Sequence, residues 1–352
     1  MEMHCILNIL VSLSAIKFPH LKFPLKHPPT KMFNLLPSTS STPLPPSHPP
    51  NPTNLLLRPT ESRTLPLPST RTLGYATYGS TLPSAPTIFL FHGLPGSRIC
   101  GRAFDLLCQK LNIRLITIDR PGCGLSSFSD RKLVDWPNDV VALANHLGIE
   151  TFGIVGASGG APYAMACARY ISKQRLVRTV IVCGIGPIES VPWLSWRIMG
   201  LTPFLLKGFA TWFLLPALLG PYIGKDAAGL KRVLEDQCTT PEEKAIIATD
   251  AEDDRSLDDA VCQYLEAFKQ GPRGCMHDGS ILSSEWGFKV EEIDGERVWL
   301  VHGDRDTHAP VAMARWVDGK LGGGRLRVVE GGTHFTIWRD VGEEIFGWCA
   351  GL

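Results

Sequence analysis

From about residue 71 onward, short continuous apolar runs alternate with longer stretches in which apolar residues recur every three or four positions. The runs TIFLFHG (87–93), RLITIDRPGCG (114–124), TFGIVGASGG (151–160) and VRTVIVCGIG (177–186) pass into glycine turns, as strands buried on both faces do. TRTLGYATYG (70–79) reads as an edge strand. Between these runs, RAFDLLCQKLN (102–112), DVVALANHLGI (139–149) and APYAMACARYI (161–171) carry helical spacing. The alternation breaks near 187 and resumes with RVWLVHGD (297–304). A strand, RLRVVEGG (325–332), and a helix, FTIWRDVGEEIFGWCA (335–350), close the chain. Such alternation predicts an α/β fold, a mostly parallel central sheet flanked by helices on both faces. Functional residues are then expected at the carboxyl ends of the strands.

The interruption, about 187–290, reads as a mostly helical insertion within a domain spanning 69–352. Its first part, 192–224, has only Arg197 and Lys207 as charges, whereas 226–285 holds 14 acidic and 6 basic residues, a net of −8. GFATWFLLPALLGPYIG (208–224) is 17 residues long and contains Pro216 and Pro221, short of the ~20 residues a membrane span needs. It is expected to pack as a lid, with weak membrane-surface contact as the alternative. Residues 1–68 follow another grammar. Fourteen of the 28 prolines lie between Pro19 and Pro68, and STSSTPLPPSHPPNPTN (38–54) has no apolar period. A segment of that kind cannot bury enough surface to offset its ordering entropy, so disorder is expected. The apolar run CILNILVSLSAI (5–16) is preceded only by Glu2, where a secretory signal would place positive charge. It reads as an untargeted start, with a signal, anchor or transit-like segment as alternatives, and Met32 is a second possible start.

Composition narrows the function. With a net charge of +1, the chain has no electrostatic case for nucleic acid or an anionic membrane as partner. The ten cysteines are scattered without a C-x-x-C pair, which suggests neither a zinc site nor a disulfide framework. A reducing compartment, hence the cytoplasm, is the expected location. No cofactor and no metal are expected, and nothing bears on oligomeric state.

The chemistry concentrates at Gly156-Ala157-Ser158-Gly159-Gly160, a G-x-S-x-G pattern with a strand before it and a helix after it. A sharp strand-to-helix turn holds such a serine strained with its Oγ exposed, and only small neighbours permit that approach. Ser158 is therefore the candidate nucleophile. A hydroxyl needs a base, and His334 in GGTHF follows the last strand. A carboxylate must orient that imidazole. Asp304 and Asp306 in HGDRDTHAP (302–310) both follow a strand, and Asp306 is preferred. The run His302, Asp304, Asp306, His308 would share one side if strand alternation continued, superficially like a metal site. Nothing else in the sequence completes a shell. His92 reads as a loop-bracing side chain and Cys123 as a packed thiol.

Taken together, residues 71–352 resemble the α/β-hydrolase superfamily, in its single-domain branch with a helical cap and a serine nucleophile. HGLPGS (92–97) is similar to the family's oxyanion loop, DRPGCGLS (119–126) to its D-x-x-G-x-G-x-S turn, and HGDRDTHAP to its G-x-x-D-x-x-x-P acid loop. That spacing selects Asp306. The resemblance implies oxyanion donors at the backbone N–H groups of Leu94 and Gly159. Cys123 in the second turn and Gly160 in the elbow depart from the family pattern. Relatives that open epoxides or displace halide carry aspartate at the elbow, so Ser158 implies acyl chemistry instead. The expected function is hydrolysis of an ester, thioester or amide of a small to medium hydrophobic acyl substrate through an acyl-enzyme. Acyl transfer on the same triad, or a non-catalytic ligand-binding role, stands as the alternative. Trp193, Trp196, Phe204, Trp212 and Phe213 are expected in the lid core or lining the acyl pocket.

Overall fold

The computed structural model describes residues 51–190, 215–238, 240–249 and 255–352. Eight strands form one sheet in the order β1-β2-β4-β3-β5-β6-β7-β8. They are β1 (Arg63–Leu67), β2 (Arg71–Gly79), β3 (Thr87–Phe91), β4 (Arg114–Ile118), β5 (Phe152–Ala157), β6 (Leu176–Val182), β7 (Val298–Gly303) and β8 (Leu326–Val329). β2 runs antiparallel to β1 and β4, and every other pairing is parallel. The helices, in chain order, are α1 (Asp105–Lys110), α2 (Trp136–His146), α3 (Ala161–Tyr170), α4 (Leu215–Leu219), α5 (Ala227–Gln237), α6 (Pro241–Thr249), α7 (Arg255–Ala267), α8 (Arg273–Leu282), α9 (Val311–Lys320) and α10 (Thr336–Ala350). This is the expected α/β architecture, a mostly parallel central sheet flanked by helices.

The continuous apolar runs are explained by the two faces they fill. Phe89, Phe91, Ile116 and Ile118 pack with Val140 and Leu143 of α2 and Met165 of α3. Their sequence neighbours Ile88, Leu90 and Leu115 point the other way, against Ile337, Ile345 and Phe346 of α10. Each such side chain contributes roughly 1.5–3 kcal/mol by leaving water. The strand order also sets the site. From β3 the chain moves to one side to form β4, then returns to place β5 on the other side of β3. A crevice opens at such a reversal, between the loops that follow β3 and β5.

Residues 51–68 do not follow the expectation of disorder. A 3₁₀ turn at Pro59–Glu61 leads into β1, which pairs with β2 through a three-residue turn, Pro68, Ser69 and Thr70. Ser69 and Thr70 have positive φ, +63° and +57°, the twist that hairpins favour. Ionic and polar contacts hold this strap. The carboxylate of Glu61 is buried and accepts two hydrogen bonds from Arg102, which also donates to the carbonyls of Asn54 and Leu56. Asn51 and Asn54 donate to Asp258 on α7. Prolines that read as disorder here stand at a 3₁₀ start and on an edge strand, where a missing N–H costs nothing.

Helices α4–α8 lie between β6 and β7, inside the segment expected to be a helical insertion. Trp193, Trp196, Phe204, Trp212 and Phe213 lie outside the described residues, as does residues 1–50. Among the described residues, no helix is long and apolar enough to cross a membrane.

Candidate active site

Between β5 and α3 only Ser158, Gly159 and Gly160 intervene, as a tight 3₁₀ turn. Ser158 has φ +50°, in the left-handed region that side chains rarely adopt. Its neighbours must be small. A Cβ on Gly156 would come within 2.6 Å of Ala164 Cβ, and one on Gly160 would press into the Phe91 carbonyl at the end of β3. Gly160 thus departs from the family pattern for a local steric reason. The loop after β3 lies against the same turn. A Cβ on Gly93 would stand 3.4 Å from Ser158 Cβ, and Leu94 N lies 3.1 Å from the Cβ position of Gly159. Among the described residues, no acceptor takes the Leu94 N–H.

His334 and Asp306 meet on the other flank. His334 Nδ1 donates to Asp306 Oδ2 at 2.7 Å. Asp306 is buried and fully engaged: its Oδ1 accepts the backbone N–H groups of His308 (2.8 Å) and Ala309 (2.9 Å). Burial alone would push this carboxyl up. The hydrogen bond and charge of His334, the Ala309 N–H and His302 outweigh burial and hold it below the usual carboxylate range. Asp304, the alternative acid, is exposed and accepts from Gly331 N (2.8 Å), bracing the histidine loop. Thr333 and Thr336 bond reciprocally at the start of α10, each backbone N–H reaching the other's hydroxyl, and so fix the two residues between them, His334 and Phe335.

Two neighbours of Asp306 have partners that the sequence did not assign: His302 read only as part of a metal-like run, and Cys183 only as one of the scattered cysteines. His302 Nε2 lies 2.7 Å from the Ala309 carbonyl and 3.4 Å from Asp306 Oδ2, so it carries the proton. Burial, opposed by these partners, lowers the His302 pKa and keeps the ring neutral. Cys183, buried at the end of β6 with φ +47°, interacts with the same carboxylate. The only hint was position: one residue before the G-x-x-D loop and one past a buried strand. His302, Asp304, Asp306 and His308 do not share a side, contrary to the alternation expected. His302 and Asp306 are buried while Asp304 and His308 are exposed, because β7 ends at Gly303 and its alternation stops there.

The loops interlock. Ile185 N donates to the Ser158 carbonyl (3.2 Å), and Arg305 N donates to Gly332 O (3.0 Å). Among the described residues, no hydrogen bond joins Ser158 Oγ to His334. Cys183, His302 and Asp306, and likewise Asp306, His308 and His334, bring possible ligand atoms within 4.8 Å of one another. In both groups Asp306 already accepts three hydrogen bonds, from His308 N, Ala309 N and His334 Nδ1, which leaves it poorly placed to hold an ion. His92 is buried in the loop after β3 as a brace, and Cys123 is a buried thiol 3.7 Å from Cys275.

A strand-to-helix serine turn, a carboxylate–imidazole pair after later strands and a switch-point crevice define a hydrolase-type α/β site. The chain matches the model of the Alpha/beta hydrolase family over residues 88–346, and it belongs to that family. Solved structures with the same fold include a carboxylesterase of Nitrososphaera gargenis, 16% identical, TM-score 0.56, covering 82% of this chain and 98% of its own. An esterase from Exiguobacterium antarcticum is 14% identical with TM-score 0.55, covering 83% and 100%. The enol-lactonase from Burkholderia xenovorans LB400 is 16% identical with TM-score 0.54, covering 81% and 96%. No curated protein sequence matches the chain.

Proposed function

We propose that this protein is a serine hydrolase that cleaves an ester, thioester or amide through an acyl-enzyme. Ser158 Oγ attacks the substrate carbonyl while His334 takes its proton, and Asp306 holds the imidazole in the required tautomer. The N–H groups of Leu94 and Gly159 receive the oxyanion. His334 returns its proton to the leaving group, then activates water to release the acid and free the serine. The observation that carries this reading is the 2.7 Å His334–Asp306 hydrogen bond, two loops from a serine held at φ +50°. Leu94 and Leu282 pack beside Gly159, which favours an apolar acyl group. The esterase and lactonase activities named for proteins of this fold are in keeping with acyl chemistry.

A series of p-nitrophenyl esters of increasing acyl length tests both parts. Turnover that rises from acetate to medium-chain esters and vanishes in Ser158→Ala is expected. Turnover that survives Ser158→Ala removes the nucleophile assignment.

A further inference from the structure

Arg120, in the loop after β4, is buried and joins three parts of the molecule. Its guanidinium donates to the carbonyls of His92 and Gly93, the latter at 2.8 Å. It also pairs with Asp278 on α8, with Nε at 2.8 Å and Nη2 at 2.7 Å from Oδ2. Tyr163 of α3 donates its hydroxyl to the other Asp278 oxygen at 2.5 Å, and its ring lies under the guanidinium. Backbone contact sets α8 against the same loop, because a Cβ on Gly274 would run into the Gly122 carbonyl. His92 completes the arrangement: Nδ1 donates to Gly93 O at 2.8 Å while Nε2 faces Arg120 N. Burial, then the adjacent guanidinium, depress the His92 pKa and keep it neutral in that tautomer.

A buried ion pair is a poor stabiliser, since desolvating two charges offsets much of their attraction. What this one does locally is grip one peptide. The Gly93–Leu94 bond is trans, so the Gly93 carbonyl and the Leu94 N–H point in opposite directions. Holding the oxygen on the Arg120 side aims the N–H at the far side, where Leu94 N approaches Gly159. A charge-assisted bond to the oxygen also draws electron density from the nitrogen, making its N–H a stronger donor.

We propose that Arg120, held by Asp278 and Tyr163, is a positioning residue for oxyanion stabilisation, orienting and polarising the Gly93–Leu94 peptide. Helix α8 of the insertion is thereby coupled to the oxyanion site, since it supplies the carboxylate that holds Arg120. This rests on the serine-hydrolase reading of the same site.

The test measures kcat and KM on p-nitrophenyl butyrate, and Ki for a trifluoromethyl ketone that forms a tetrahedral oxyanion, in Asp278→Asn, Arg120→Lys and Tyr163→Phe. Folding is checked by circular dichroism. Asp278→Asn is expected to lower kcat about ten-fold or more, with KM within about two-fold and Ki weakened in parallel with kcat. Tyr163→Phe, which leaves the ion pair in place, shifts both in the same direction by less, and it carries the test where Asp278→Asn does not fold. Folded variants with wild-type kcat and Ki, or with loss in KM alone, overturn the inference while leaving the serine-hydrolase reading intact. Wild-type protein that neither turns over the ester nor labels at Ser158 overturns that reading, and this inference with it.

Discussion

The two flanks of the Ser158 turn are built differently. On the acid side, Asp306, His302, Cys183 and His334 come from the ends of β6, β7 and β8 and the start of α10, all parts of the sheet domain. On the oxyanion side, the loop after β3 is gripped by Arg120, whose own partner Asp278 belongs to the helical insertion. One flank is closed within the sheet domain, and the other depends on a helix outside it. In the proposed mechanism, acid–base chemistry then belongs to the sheet domain, while oxyanion stabilisation is coupled to α8 through Asp278 and Arg120.

The largest effect that can break this comparison is at its centre. Ser158→Ala is expected to lower kcat about 10⁴-fold or more without altering the unfolding midpoint by much, read by ester hydrolysis and thermal unfolding. On the acid side, Asp306→Asn is expected to cost about 10³–10⁴-fold in kcat. Asp304→Asn should stay within a few-fold, since Asp304 only braces Gly331. Equal losses in the two variants would remove the assignment of the acid. On the oxyanion side, Gly160→Ala forces a methyl into the Phe91 carbonyl. Overpacking of this kind costs roughly 1–3 kcal/mol in urea unfolding, and activity should fall further than stability explains.

The smallest effect is on pH. His92 and His302 are buried with pKa values held below the ordinary 6.5, so the folded protein binds fewer protons there than the unfolded chain. Their contribution to stability is present above pH 6.5 and is lost progressively as pH falls toward the folded values. The unfolding midpoint should decline between pH 7 and 5, and His302→Gln should flatten part of that decline. A slope unchanged by the substitution would show that other groups set it.

The parallel strands were legible because both faces are buried, so each reads as an unbroken apolar run bounded by glycine. The tight turn at Ser158 and the pairing of Asp306 with His334 were legible, because the turn demands small neighbours and both partners follow strand ends. β1 was not, since Pro66, Pro68 and a Ser-Thr turn imitate a disordered segment, and its anchors are arginines distant in sequence. Helix α9 was not legible because it buries only Ala314 and Val317, too few apolar positions to set a helical period. Arg120 and Asp278 are paired across 158 residues, and no local period records such a partnership.

The most direct measurement is peptide mapping of the adduct formed by a fluorophosphonate. Modification of Ser158 alone, absent from Ser158→Ala, is the expected result. An adduct on another residue, or an ester-hydrolysing protein that forms none, would contradict the assignment of Ser158 as nucleophile.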